Sequence, residues 1–390
     1  MTYRKWIKSI LKTAFPVFLL LGFKAHCHPA GLGIYQSSSV SLQPNSNKHL
    51  KVISCERLAR VTGASVKGEV FANPNVTHQK YNVGGTDLGI FWKMDNGKVG
   101  CFFGDTYGSD FKASPNGGPS GGSWRSNVLA FSTDSNLDDG LTFSSMLSDP
   151  DGHAREVIPS AHDTTGTGDW TSIPTAAVSV AGTEYVHYMN IRSWDSPGEW
   201  TTNYSSMYQS NDGGHSWSKI EDVHFKGDSK FAQMAFAKRN GMVYMVGTKS
   251  GRKGPAYLAR VNMEDFPNPS KFEYLGTKKN WFKGGESLAQ PIFSGPVGEI
   301  SILYNETFKL WITLYTRHSN EDQKLVMRTT EHINGTWSDE KIIADPETYP
   351  IMYGSFMHPK SISGSDIYFA MSMWQPYNVF LMKASLELEN

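Results

Sequence analysis

The sequence predicts an all-β chain folded as a five-bladed β-propeller, with four antiparallel strands per blade. Three observations predict it. An apolar strand, a short polar turn and a second apolar strand recur five times along the chain. Second hairpins follow the first in four of the repeats, giving four strands per repeat. One turn carries an SxDxGxxW pattern, Ser210-Asn211-Asp212-Gly213-Gly214-His215-Ser216-Trp217.

The first hairpin runs Asp87–Trp92, turn Asp95–Gly97, Lys98–Gly104. The second runs Thr175–Val180, turn Ala181–Glu184, Tyr185–Ile191. The third is Gln233–Ala237, turn Lys238–Gly241, Met242–Gly247, and the fourth Glu299–Tyr304, turn Asn305–Phe308, Lys309–Thr316. The fifth is read as Met357–Ile362, turn Ser363–Asp366, Ile367–Met373. Turn residues between β-branched and aromatic runs are the hairpin signal. The second hairpins are Asn127–Ser132 with Leu141–Met146, Ser205–Gln209 with Trp217–Ile220, Ala256–Val261 with Phe272–Leu275, and Lys324–Thr329 with Trp337–Ile343. In the SxDxGxxW turn, the Asp and Gly are expected to tighten the corner and the Trp to pack between sheets. Asn334-Gly335-Thr336-Trp337 reads as a degenerate copy.

Composition agrees. The 390 residues include 21 Phe, 17 Tyr and 11 Trp, ample core material, which excludes disorder as the main state. The 37 Lys and Arg balance the 37 Asp and Glu, and no basic run exceeds a pair. That excludes a nucleic-acid partner held by phosphate neutralisation. Arg4, Lys5, Lys8 and Lys12 precede an apolar stretch from Ala14 to Phe23. Such a stretch is too short for a bilayer span, which needs roughly 20 residues. Basic residues before a short apolar run are the pattern of a secretory signal, here residues 1–30. Cleavage falls after Cys27 or Ala30. A lipoprotein anchor at Cys27 is the less favoured route, since Lys24 and His26 stand where small residues are wanted. Residues 31–54 are then an N-terminal extension and 55–390 a single propeller. The mature chain is expected to be secreted or periplasmic, monomeric, and without a transmembrane span.

Export permits a disulfide. Cys55 and Cys101 are the cysteines left after cleavage, and spacing alone leaves open whether they pair or stay as thiols. With no CxxC or HExxH, no zinc site is expected, and no ligand set identifies another metal or a central ion. With no GxGxxG, Walker loop or GxSxG elbow, no cofactor and no α/β-hydrolase chemistry are expected. The run Gly117–Gly122 has no Lys and reads as a flexible loop.

Propeller chemistry belongs at the channel mouth, where the start of a blade's first strand meets the end of its second. With Asp95-Asn96-Gly97 as a three-residue loop, Met94 faces Lys98 and Asp87 faces Asp105, two carboxylates on one side. A two-residue Asn96-Gly97 loop shifts the register by one and sends them to opposite faces. Adjacent carboxylates repel, so one pKa rises and that group becomes a proton donor. Glycoside hydrolysis needs such a pair. The bland alternative is that each Asp binds a turn. Glu299 starts the inner strand of blade 4 and is the candidate third carboxylate; its alternative is a solvated strand edge. Arg125 and Asn127 precede the third strand of blade 1, where Arg125 can meet Asp105, a substrate hydroxyl or a structural partner. His358 reads as the start of the inner strand of blade 5, facing substrate or satisfied in the core. Trp170, Trp194 and Trp374 lie near inter-strand loops and are candidate sugar-stacking platforms, or else buried core.

Gly85-Thr86-Asp87-Leu88-Gly89, Phe103-Gly104-Asp105-Thr106 and Trp124-Arg125-Ser126-Asn127, in that order, resemble a bacterial secreted family. Ile173-Pro174-Thr175, Trp200-Thr201-Thr202-Asn203, Gly298-Glu299-Ile300-Ser301 and Tyr353-Gly354-Ser355 continue the match, over about residues 55–385. The family was long catalogued as a domain of unknown function, and some mycobacterial members are endo-D-arabinofuranases. The resemblance implies a furanosidase-like five-bladed propeller and carries catalysis to Asp87 and Asp105. It leaves the sugar, and the retaining or inverting route, open. The expectation is a secreted glycoside hydrolase acting on a furanose-containing polysaccharide. The alternative is a lectin-like glycan-binding propeller. A sialidase ranks last: Arg125, Arg192 and Arg317 lie near strand ends, but no FRIP-like motif accompanies them.

Overall fold

The computed structural model describes residues 48–113, 117–119, 121–319 and 322–389. The segment read as a signal, Cys27 included, lies outside the described residues. The described residues open with β1 (Leu50–Arg60). Blade 1 is β2 (Leu88–Lys93), β3 (Val99–Phe103), β4 (Val128–Ser132) and β5 (Ser145–Met146). Blade 2 is β6 (Thr171–Val180), β7 (Thr183–Trp194), β8 (Trp200–Ser210) and β9 (Ser218–Lys226). Blade 3 is β10 (Gln233–Arg239), β11 (Met242–Thr248), β12 (Tyr257–Asn262) and β13 (Glu273–Leu275), with a short added strand, β14 (Trp281–Phe282). Blade 4 is β15 (Ile300–Asn305), β16 (Leu310–Ser319), β17 (Asp322–Thr330) and β18 (Lys341–Ala344). Blade 5 is β19 (Met352–Met357), β20 (Asp366–Met373) and β21 (Asn378–Leu388), completed by β1 as its outer strand. All pairings within the blades are antiparallel.

The inner strands close a circle: β2 packs on β6, β6 on β10, β10 on β15, β15 on β19, and β19 back on β2. The chain is a five-bladed β-propeller. Four of the five predicted hairpins fall where the sequence placed them, within a few residues. The fifth does not. Its inner strand is Met352–Met357, and Pro359–Ile362 is a single 3-10 turn. Pro359 lacks an N–H for the ladder. His358 caps the turn, accepting from the Lys360 N–H through Nδ1 at 3.1 Å, so the strand ends at Met357. β1 also begins inside the stretch read as an N-terminal extension.

The core lies between the blades. Trp92 stacks on Phe102 at 5.5 Å, and Trp217 meets Phe102 edge-on at 5.4 Å. Trp217 therefore bridges from the outer hairpin of blade 2 to blade 1, as the SxDxGxxW turn predicted. Within that turn Asp212 accepts from the Ser216 N–H (2.9 Å), the His215 N–H (3.0 Å) and the Ser210 hydroxyl (2.7 Å). Gly213 and Gly214 take positive φ there, +70° and +89°. Cys55 and Cys101 are free thiols, so that open question closes against a disulfide. Among the described residues no helix is long and apolar enough to cross a membrane.

Candidate active site

The starts of the inner strands and the ends of the second strands converge on a cavity of about 720 Å³. Asp87 and Asp105 reach it from blade 1, Trp194 from blade 2, Glu299 from blade 4, and Tyr353 and Trp374 from blade 5.

The loop in blade 1 is the three-residue one. Met94 N–H donates to the Lys98 carbonyl at 2.9 Å, and Gly97 sits at φ +86°. Phe91 pairs with Cys101 and Ile90 with Phe102, as that loop requires. The register then slips, because Leu88 pairs with Phe103. The extra residue is Gly89, a bulge at φ +97° beside a strained Leu88 at φ +69°. Leu88 N–H is held by the Ser372 hydroxyl at 2.7 Å. Asp87 therefore stands opposite Gly104, whose N–H donates to the Asp87 carbonyl at 3.1 Å, and not opposite Asp105. The expected direct pairing is corrected, yet both carboxyl groups line the cavity. Gly104 makes room for this: a Cβ there would lie 2.3 Å from Asp87 Oδ1.

The two carboxyls have unlike surroundings. Asp87 Oδ2 accepts from the Tyr353 hydroxyl at 2.9 Å, while Oδ1 is buried with no hydrogen-bond partner among the described residues. Burial first, and then the charge of Asp105 with a smaller push from Glu299, raise its pKa to about 8. The hydroxyls of Tyr353 and Tyr377 oppose the rise without cancelling it. Asp105 Oδ1 accepts from Trp124 Nε1 at 2.8 Å and from the Thr171 hydroxyl at 2.6 Å. Burial raises Asp105 to about 6, and these two donors hold it below its neighbour. His162, edge-on to Trp124 at 4.2 Å, adds a further lowering influence. The mouth thus holds one carboxyl that favours its proton at neutral pH and one that favours its charge.

Glu299 lines the cavity but is not a free third carboxylate. Arg252 Nε and Nη2 reach its Oε1 at 3.0 and 2.7 Å, and Nε reaches Oε2 at 3.1 Å. The guanidinium outweighs burial and holds the Glu299 pKa below its usual range. Trp194 and Trp374 both line the cavity, 42% and 37% exposed. Trp194 rests edge-on against Trp200 at 5.7 Å, and Trp374 against Tyr377 at 5.9 Å.

The remaining candidates sit elsewhere. Arg125 misses Asp105: its Nη1 and Nη2 donate to the carbonyls of Ala154 (2.6 Å) and Asn82 (2.7 Å). Asn127 is buried and clamps a loop, donating to the Ile158 and Ser172 carbonyls and accepting from the Val157 and Ile158 N–H groups. Trp170 is partly buried and outside the cavity lining. His358 is buried at the far end of β19, edge-on to Phe91 at 5.0 Å, its pKa lowered to about 4 mainly by burial. Sequence reasoning gave no role to Arg252, Tyr353, Tyr377, Trp124 or Thr171. Trp124 and Tyr353 lie inside the quoted motifs; Arg252 lies in a blade 3 loop with no local signal.

Fold and mouth together define a class, a five-bladed propeller with a carboxylate-bearing cavity at one end of its axis. Within it, the chain belongs to the family described as Domain of unknown function (DUF4185), which it matches over residues 72–383. It is 29% identical over 313 residues to Notoamide biosynthesis cluster protein J of Aspergillus sp. (strain MF297-2), covering 76% of this chain and 81% of that protein. It is 28% identical over 331 residues to Notoamide biosynthesis cluster protein J' of Aspergillus versicolor, covering 81% and 88%. These relatives are fungal, whereas the motif resemblance was to a bacterial family. Among solved structures it resembles a Bacteroides ovatus protein provisionally described as a hydrolase, with a TM-score of 0.55, 12% identity, and coverage of 78% and 87%. That likeness is one of fold.

Proposed function

We propose that the chain is an exported glycoside hydrolase that cuts a furanose-containing polysaccharide, with Asp87 as general acid and Asp105 as general base or nucleophile. One observation carries the reading. Two carboxyls share one mouth, and their surroundings push their proton affinities apart, with Asp87 at about 8 and Asp105 at about 6. Protonated Asp87 would donate to the departing sugar oxygen. Ionised Asp105, steadied by Trp124 and Thr171, would attack the anomeric carbon or take a proton from water. The furanose assignment, with D-arabinan as one member, rests on the motif resemblance. Export rests on the basic and apolar pattern of residues 1–30.

The test is a product assay on a panel of arabinans, arabinogalactans and pyranose polymers. Wild type should release oligosaccharides, and Asp87→Asn and Asp105→Asn should each release less by about 10²-fold or more while staying folded. Full turnover in both variants would sink the assignment. A second reading, a glycan-binding propeller without catalysis, is favoured by the two exposed indoles, Trp194 and Trp374, beside the cavity. It predicts glycan affinity without cleavage, and tolerance of Asp105→Asn.

A further inference from the structure

Five carboxyl groups line the cavity, those of Asp87, Asp105, Asp195, Glu199 and Glu299. Among the described lining residues they meet one guanidinium, Arg252, and one imidazole, His318. A guanidinium in a sugar-sized cavity is a ready receptor for a carboxylate or phosphate, because its fork matches two oxygens at once. Here the Nε/Nη2 edge of that fork is already filled. Arg252 and Glu299 meet in bidentate fashion, with side chains only 14% and 10% exposed. The arginine is fixed on other sides too. Its Cζ lies 5.1 Å from the Tyr353 ring centre and 5.7 Å from that of Trp200. Its backbone N–H donates to the Gly198 carbonyl at 2.9 Å. Gly298 leaves the side chain its path: a Cβ there would lie 2.8 Å from Arg252 Cγ.

We infer that Glu299 sets the charge selectivity of the cavity: by occupying Arg252 from within, it makes the site one for uncharged sugars and shuts out carboxylated or phosphorylated ones. The inference rests on reading the cavity as a sugar site. An incoming carboxylate would find the Nε/Nη2 edge already taken and would face the charges of Glu299 and Asp105. Lys253, next to Arg252 in the sequence, pairs with Glu199 of the cavity lining at 2.6 Å. Removing the Glu299 carboxylate leaves a buried guanidinium without its counter-charge and a space the size of that group. The cavity should then recruit an external anion.

The probes are acetate and D-galacturonate, with acetamide and the neutral methyl ester of galacturonate as controls. The readouts are thermal unfolding and tryptophan fluorescence, neither of which needs turnover. Glu299→Ala should unfold at lower temperature than wild type and be restored by acetate but not by acetamide. Glu299→Gln should bind galacturonate ~10-fold or more tightly than wild type does, with no such gain for the methyl ester. Should Glu299→Ala fail to fold, refolding it from denaturant in acetate replaces the melt: recovery in acetate and not in acetamide supports the inference, and recovery in neither overturns it. Wild type binding galacturonate as well as the variant does, or a folded variant with no anion response, also overturns it. A protein that cleaves nothing in the product assay, yet shows the acetate response, loses the hydrolase reading and keeps this one.

Discussion

Asp87 and Asp105 make opposite demands on pH. Turnover under the proposed roles needs Asp105 ionised and Asp87 protonated. Activity should therefore rise with pH through about 6 and fall through about 8. A pH series of kcat/KM on an active polysaccharide checks this, and a rate that keeps climbing beyond pH 9 would remove Asp87 as the acid. The same burial has a stability consequence of opposite sign to that of an ordinary surface carboxylate. The folded pKa of Asp87 lies above its unfolded value near 3.8. Its contribution is present below about pH 4 and is lost as pH rises through about 8. Asp87→Asn should then be more stable than wild type by about 1–3 kcal/mol at pH 8, with the gap closing near pH 4. Urea unfolding of both proteins at pH 4, 6 and 8 measures it. An equal gap at every pH would mean that the carboxyl is not desolvated.

At the scale of elements, the outer turn of blade 2 is held by one side chain. Asp212 gathers two backbone N–H groups and two hydroxyls, and these bonds hold its pKa well below the usual carboxylate range. Asp212→Ala should cost about 1–3 kcal/mol at neutral pH, the worth of hydrogen bonds to a charged acceptor. That loss should shrink as acid protonates the wild-type carboxylate, because a lowered pKa contributes stability only above it. Polysaccharide turnover should be unchanged, and a matched loss of activity would tie the turn to the site. This turn was legible because its chemistry is local, with Asp, Gly and Trp at fixed spacing. The blade 1 hairpin was legible for the same reason, up to Ile90. Beyond it the Gly89 bulge depends on Ala370 in another blade, whose Cβ would sit 2.7 Å from a Cβ at residue 89. No spacing rule along one hairpin reports such a contact. Asp87 and Asp105 were found as a pair by strand position, although the register argument that paired them fails at the bulge. Arg252 was missed because its partner, Glu299, is 47 residues away in another blade. His358 was misplaced because the inner strand of blade 5 ends where it was thought to begin.

For the whole molecule, the ring is closed where the first and last described strands share a blade, and the candidate site lies beside that closure. β1 pairs with β21 from Leu50–Leu388 to Arg60–Phe380, so one blade holds the first and last of the described strands. Arg60 is fully buried at the end of β1, paired with Glu69 and lying over the Phe380 ring at 4.8 Å. Glu69→Ala strands that guanidinium and should cost about 3–5 kcal/mol. The damage should travel. Blade 5 supplies Tyr353 to Asp87 and Trp374 to the cavity, and β19 packs on β2 across the closing seam. Deleting residues through Arg60 removes the outer strand and leaves β21 as an unpaired edge. The shortened chain should lose its single cooperative unfolding transition and any glycan cleavage together, whereas Asp212→Ala on blade 2 should lower stability alone. Chemical unfolding followed by tryptophan fluorescence, beside the product assay, separates the two cases. A shortened chain that unfolds and cleaves like the full one would show that blade 5 holds Asp87 in place without its closing strand.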